Sequence, residues 1–257
     1  MRYFLELSYS GASFHGWQRQ PNASSVQQTL EEAMAIILRT PMEITGAGRT
    51  DTGVNARCMY AHFDIETPIS DTRRFLTSLN RMCGRGISVR RLLEVAPEAH
   101  ARFDATSRSY KYFVIFEKSP FLEQSAWHSP SALDMGKMNE AASILTETSD
   151  FTSFAKLHSD SHTNICDVRE AIWEAYDNIY GVPGIVFTIT ADRFLRNMVR
   201  AVVGTLVEVG RGKLTIPHFR EIIEKRDRCA AGTSMPPQAL FLWDVRYPWM
   251  DAPSSEI

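Results

Sequence analysis

The sequence predicts an α+β fold built as two similar halves, each a sheet with about two helices. Three observations carry this. Some short runs alternate apolar and polar residues, as half-buried strands do. Other runs repeat apolar residues every three to four positions, as helices do. Neighbouring strand runs are joined by short turns, as in hairpins, rather than by a helix each time, as a parallel sheet would require. The halves are read as 1–103 and 104–250, with a tail, 251–257, expected to be disordered. A cleft between two such halves is the natural site for a large ligand.

Taken in order, Tyr3, Leu5, Leu7 and Tyr9 alternate with Phe4, Glu6 and Ser8 and form the first strand. Ser25 and Gln28 make a capping box that opens a helix with Val26, Leu30, Ala33, Met34 and Ile37 at helical spacing. A short strand, Met42–Gly46, runs into the turn-like Gly46–Gly53, and Met59, Ala61 and Phe63 alternate in the next strand. Phe75, Leu76, Leu79 and Met82 mark a second helix, Ser88–Val95 is a strand, and a long strand covers Ser107–Phe116 beyond the loop at Pro97. Leu133–Thr146 is helical, with Met135, Met138, Ala142 and Leu145 on one face. Ala171–Tyr176 and Ile185–Ala191 are strands around the turn Asp177–Gly184. Arg196–Val209 is a helix with Val199, Val202, Val203 and Leu206 inward. Thr215-Ile216-Pro217 opens another, with proline early, where its missing N–H costs nothing. Leu240–Tyr247 is the last strand, and no short-period repeat is present.

Of the 257 residues, 44% are hydrophobic and 23% charged, which excludes wholesale disorder. The longest apolar runs, such as Ala33–Leu38, fall far short of the ~18 residues of a membrane helix. The N-terminus lacks the apolar stretch and small-residue cleavage site of a secretory signal. A cytoplasmic protein with no membrane association is expected. The four cysteines, Cys58, Cys83, Cys166 and Cys229, include no Cys-x-x-Cys and are read as free buried thiols. Net charge is −2, but the charge is unevenly spread. Between Asp71 and Glu94 there is no acidic residue and there are six arginines: Arg73, Arg74, Arg81, Arg85, Arg90 and Arg91. A second basic stretch holds Arg193, Arg196, Arg200, Arg211 and Lys213 around a single Glu208. Such segments suit either a polyanion or a solvated helix face.

Gly46-x-Gly48-x-x-Asp51 opens like a dinucleotide-binding fingerprint but lacks the third glycine and the following helix. Asp51-Thr52-Gly53 is also the tripeptide of acid proteases. That chemistry needs a second such triplet and a shared proton, and Arg49 beside it favours ionised carboxylates instead. An aspartate in a glycine-rich turn is either a turn former or a carboxylate displayed at a strand end for nucleophilic or base catalysis. Trp17 and Phe14 are read as core residues or as aromatics facing a ligand.

The segment Gly46-Ala47-Gly48-Arg49-Thr50-Asp51-Thr52-Gly53-Val54 resembles the signature of TruA-type tRNA pseudouridine synthases. Further blocks resemble the same family in the same order. They are Phe14–Asn22 with Ser25-Val26-Gln27, His100–Tyr112, Asp150–Phe154, Phe194–Arg200 with Gly204–Leu206 and Glu208–Gly212, and Ala239–Leu242 with Val245–Pro248. The resemblance implies the pseudouridine synthase fold, with a catalytic, RNA-binding cleft between the halves. It implies isomerisation of uridines 38, 39 and 40 in the tRNA anticodon stem-loop, by a homodimer that uses no cofactor and no metal. Carried over, Asp51 matches the catalytic aspartate, with Arg49 in its loop. Tyr110 matches the tyrosine that packs on the flipped target base, and Arg200 the basic residue paired with the aspartate. Arg73, Arg74 and Arg196 are expected to contact the RNA. The family usually has His where this chain has Asn55, and Leu-Pro where it has Met82–Gly86. The alternatives are a synthase of this fold acting on another RNA and a non-catalytic RNA-binding module.

Overall fold

The computed structural model describes residues 1–156 and 163–250, so the expected tail, 251–257, lies outside the described residues. In chain order the elements are β1 (Arg2–Tyr9), α1 (Val26–Leu38), β2 (Thr45–Gly46), β3 (Asn55–Asp64), α2 (Thr72–Met82), β4 (Ile87–Val95), β5 (Ser107–Ile115), β6 (Trp127–His128), α3 (Met135–Thr146), β7 (Val168–Tyr176), β8 (Gly184–Ala191), α4 (Met198–Gly210), α5 (Ile216–Lys225) and β9 (Leu240–Arg246). They fall into two compact units, Met1–Ser107 with the chain from Leu242 onward, and Arg108–Phe241. The fold is α+β, as the mixture of antiparallel strand pairs and helices predicted.

In the first unit the strands lie in the order β4-β1-β3-β9, with β2 paired on β3. β1 is antiparallel to both its neighbours. Leu5 and Leu7 sit opposite Ala61 and Met59, and all four are buried. Side chains alternate across a sheet, so Phe4 and Glu6 point the other way. They are buried too, Phe4 against the rings of Tyr247 and Trp249. Glu6 is the register partner of Tyr60 and Arg91, and both donate to its carboxylate. A register shift in β4 brings Arg90 within 3.9 Å of the same group. The carboxylate is buried, but both arginines are largely exposed, so solvent screens much of their attraction to it.

Helix α1 begins as predicted, with the Ser25 hydroxyl accepting from the Gln28 N–H at 3.2 Å. The reciprocal half of the capping box is not made, because the Gln28 amide turns to Glu32 instead. Helix α2 is pinned to the edge strand β4 by Asn80. Its amide donates to the Val89 carbonyl and accepts from the Val89 N–H, both at 2.8 Å.

The second unit orders its strands β5-β8-β7, antiparallel throughout, with the short β6 parallel to β5. Among its described residues it carries three helices rather than two. Here α3 repeats the device of α2. The Asn139 amide donates to the Trp173 carbonyl of edge strand β7 at 2.9 Å and accepts its N–H at 2.7 Å. Helix α4 is buried on nearly every side, not only along Val199, Val202, Val203 and Leu206. It starts at Met198, two residues later than expected, because Asn197 takes a left-handed conformation with φ 65°. Gly204 permits the carbonyl of Thr233 to lie where a side chain would otherwise stand.

The expected strand Met42–Gly46 is reduced to its last two residues, and the two-residue β6 had no signal of its own. Cys58, Cys83 and Cys166 are buried and free, whereas Cys229 is free but exposed, against expectation. Among the described residues no helix is long and apolar enough to cross a membrane.

Candidate active site

The Asp51 loop links β2 to β3 and rests on the segment that follows β1. Gly46 lies against the Trp17 indole, so close that any Cβ would stand 2.5 Å from the ring. The Trp17 backbone N–H donates to the Thr50 carbonyl at 3.2 Å, and the Thr50 hydroxyl shares a buried 2.8 Å hydrogen bond with the Tyr9 phenol. Gly16, at φ +89°, brings its Cα beneath the Thr50 carbonyl, where a Cβ would stand at 2.5 Å. Past the aspartate, Val54 N–H donates to the Asp51 carbonyl at 3.1 Å across a turn whose third residue, Gly53, has φ +78°. Asn55 then locks the exit: its buried side-chain oxygen accepts the Gly11 N–H at 2.7 Å.

Asp51 is thus half-buried between Thr50, bonded to Tyr9, and Gly53, whose N–H donates to the Phe14 carbonyl at 3.4 Å. A residue held this way on both sides needs little reordering to react. Arg49, two residues earlier, is exposed and lines a cavity of about 160 Å³ with Trp17, Gln18, Gly48 and Arg102.

Trp17 and Phe14 are buried and belong to the core of this unit. Arg73 and Arg74 lie exposed in the first turn of α2, behind the cap made by Asp71 to the Arg74 N–H at 2.8 Å. The segment Met82–Gly86 closes α2 and packs on the same scaffold: Ser10 N–H donates to the Gly86 carbonyl at 3.0 Å, and Gly86 abuts the Phe14 ring.

In the second unit, Tyr110 stands on β5 on the same side as Tyr112 and Val114. Tyr112 and Val114 are fully buried, whereas Tyr110 is half-exposed, with Phe194 edge-on at 5.0 Å. The apolar stripe therefore opens at its Tyr110 end. Burial pushes the Tyr112 phenol well above the usual tyrosine range, with Arg200 opposing. That phenol is spent on the Pro236 carbonyl at 3.1 Å.

Arg200 lies half-buried in the first turn of α4, its Nε donating to the Met235 carbonyl at 2.6 Å and its own carbonyl accepting the Met235 N–H at 3.1 Å. Arg196 is exposed just before that helix. The segment 232–235 is further held by Ser234, whose hydroxyl accepts from Asn197 at 2.6 Å and from Arg228 at 2.8 Å. Reading the sequence noted Asn55 but not its bond to Gly11, and missed Tyr9 and Gly16 behind Asp51, and Ser234 and Arg228 behind Arg200. These contacts span 37–44 residues or lie in irregular loops, where periodicity is silent.

Comparison with known proteins adds to this geometry. Residues 141–248 match a family model described as tRNA pseudouridine synthase. The chain is 56% identical over 247 residues to the tRNA pseudouridine synthase A of Parabacteroides distasonis, covering 96% of each. It is 55% identical over 250 residues to that of Bacteroides thetaiotaomicron, covering 96% of this chain and 91% of the relative. It is 53% identical over 247 residues to that of Bacteroides fragilis, covering 96% of each. With an α+β fold and near full-length identity at this level, the chain belongs to the tRNA pseudouridine synthases, isomerases that act on uridine in tRNA.

Proposed function

We propose that this protein converts uridine to pseudouridine in the anticodon stem-loop of tRNA, at positions 38, 39 and 40, with Asp51 as the reacting carboxylate. The observation that carries the assignment is the Asp51 loop, pinned through Thr50 on one side and Gly53 and Asn55 on the other. The reaction breaks the N1–C1′ bond, turns the base and rejoins it through C5. It is an isomerisation without net redox change, so neither cofactor nor metal is called for. Asp51 acts as a carboxylate, by attack on C1′ or C6 or by taking a ribose proton.

The uridine has to leave the stack to be reached. The half-exposed ring of Tyr110 suits the face of a flipped base, and its hydroxyl suits removal of the C5 proton. Arg200 supplies the charge that favours the carboxylate, and Arg49 belongs to the same loop. Arg73, Arg74 and Arg196, all exposed, suit phosphate contacts. The half 1–103 thus carries the aspartate and the half 104–250 the tyrosine and arginine.

The protein works as a homodimer in the cytoplasm, where two basic segments per chain would serve one large RNA. Light scattering at micromolar protein that gave a mass near 29.1 kDa would count against the dimer. The reading as a whole is tested by tritium release from C5-labelled uridine in tRNA. Asp51→Asn and Asp51→Ala are expected to abolish release while RNA still binds. Activity within tenfold of wild type would reject Asp51 as the reacting group.

A further inference from the structure

Every backbone N–H of the turn His100–Asp104 is hydrogen-bonded. Ala101 donates its N–H to His62 Nδ1 at 3.1 Å, and its carbonyl accepts the Tyr247 hydroxyl at 2.6 Å, both bonds buried. His100 Nδ1 accepts the N–H groups of Arg102 and Phe103 at 3.1 and 3.2 Å. Asp104 caps the turn by accepting the His100 N–H at 2.7 Å. Burial depresses the pKa of His100, which favours the neutral ring that accepts.

The tip of this rigid turn is nevertheless wet. Phe103 is 75% exposed, with the Arg102 guanidinium over its ring at 5.8 Å. A single exposed apolar side chain needs no explanation on a mobile loop. Here a fixed turn holds a large ring out of the core, with a cation beside it. Arg102 also lines, with Arg49, the cavity of about 160 Å³ next to the Asp51 loop. Among the described residues that lining contains both arginines and Gln18 but no acidic side chain, so the cavity suits an anion.

We propose that this turn grips the RNA beside the reacting nucleotide: the cavity between Arg49 and Arg102 takes a backbone phosphate, and Phe103 is a platform on which a neighbouring base stacks. The proposal rests on the tRNA reading above and names how that substrate is held next to Asp51. Every base offers a π-face, so an aromatic platform grips a single-stranded loop whatever its sequence, and a flanking arginine adds cation–π attraction. The lining favours RNA over a second copy of the chain, because it offers two cations and no carboxylate.

The test uses the full-length protein and a synthetic anticodon stem-loop RNA, with binding measured against salt and isomerisation measured in single turnover. Wild type is the control for the reading itself: if it fails to isomerise uridine, the reading and this proposal fall together. With wild type active, Phe103→Ala and Phe103→Leu are expected to weaken binding about tenfold. Phe103→Trp should hold within about twofold, with its added indole fluorescence quenched on binding. Arg102→Ala should lower the slope of log K against log salt by about one.

Thermal unfolding should be unchanged in the Phe103 variants, because the ring is exposed. If Phe103→Leu binds as wild type, stacking is overturned. If the slope is unchanged in Arg102→Ala, the phosphate site is overturned. If Phe103→Ala changes the oligomeric mass instead of RNA affinity, the ring is a subunit contact and the proposal is wrong.

Discussion

The phenol of Tyr9 and the hydroxyl of Thr50 share a buried 2.8 Å hydrogen bond, one residue before Asp51. It ties the end of the first strand to the Asp51 loop, 41 residues on. Thr50→Val keeps the shape and removes the hydroxyl. It should destabilise the fold by about 1–2 kcal/mol, read from the urea midpoint. Because Thr50 adjoins Asp51, kcat should fall while the KM for tRNA changes little, and Thr50→Ser should restore both. A Thr50→Val enzyme with wild-type kcat would show that the loop does not depend on this pin.

Asn55 closes the other side of the loop. Asn55→Ala deprives the buried Gly11 N–H of its acceptor, at a cost of about 1–3 kcal/mol. The expected signature is a lowered Tm with tRNA affinity retained. Unchanged stability would mean that water or another group replaces the amide oxygen.

Arg200 and the exposed arginines of α2 should behave as two classes. Arg200→Ala is expected to lower the single-turnover rate at saturating enzyme while tRNA affinity is largely kept. Arg73→Ala and Arg74→Ala should instead weaken tRNA binding, each lowering its salt slope by about one, with the rate at saturating enzyme unchanged. An Arg200→Ala enzyme that loses only affinity, with the saturating rate intact, would remove Arg200 from the reacting centre.

His62 makes stability depend on acid. Burial pushes its imidazole down to about 4, helped by Arg2 and His100 and opposed by Asp64 and Asp104. In the unfolded chain the pKa returns to about 6.5, so between these values the unfolded state binds more protons. The His62 contribution is therefore complete above about pH 6.5 and is lost as pH falls toward 4, on the order of 3 kcal/mol. Urea titrations at pH 7.5 and pH 5 should show this loss in wild type. His62→Gln, which keeps an acceptor for the Ala101 N–H, should show less of it. Equal losses in both proteins would assign the acid sensitivity elsewhere.

Local pattern alone determined most of the elements, because alternation and helical spacing report which side of a segment is buried. The first strand, the Ser25 cap and the proline-led helix at Ile216 all follow from neighbours within a few residues. The Asp51 loop stands out in the sequence for another reason, since it is a contiguous run of residues. What surrounds that loop was decided only in three dimensions. Nothing near Asn55 in sequence announces that its amide meets Gly11, nor does anything near Glu6 announce that a buried carboxylate will find Tyr60 and Arg91. The late start of α4 turns on the left-handed Asn197, which a periodicity of apolar residues does not register. The paired asparagines, Asn80 on Val89 and Asn139 on Trp173, make the two units alike in a way no repeat in the sequence shows. Hydrogen bonds between a helix and an edge strand depend on the placement of single polar atoms, and the hydrophobic pattern that specifies a fold says nothing about them.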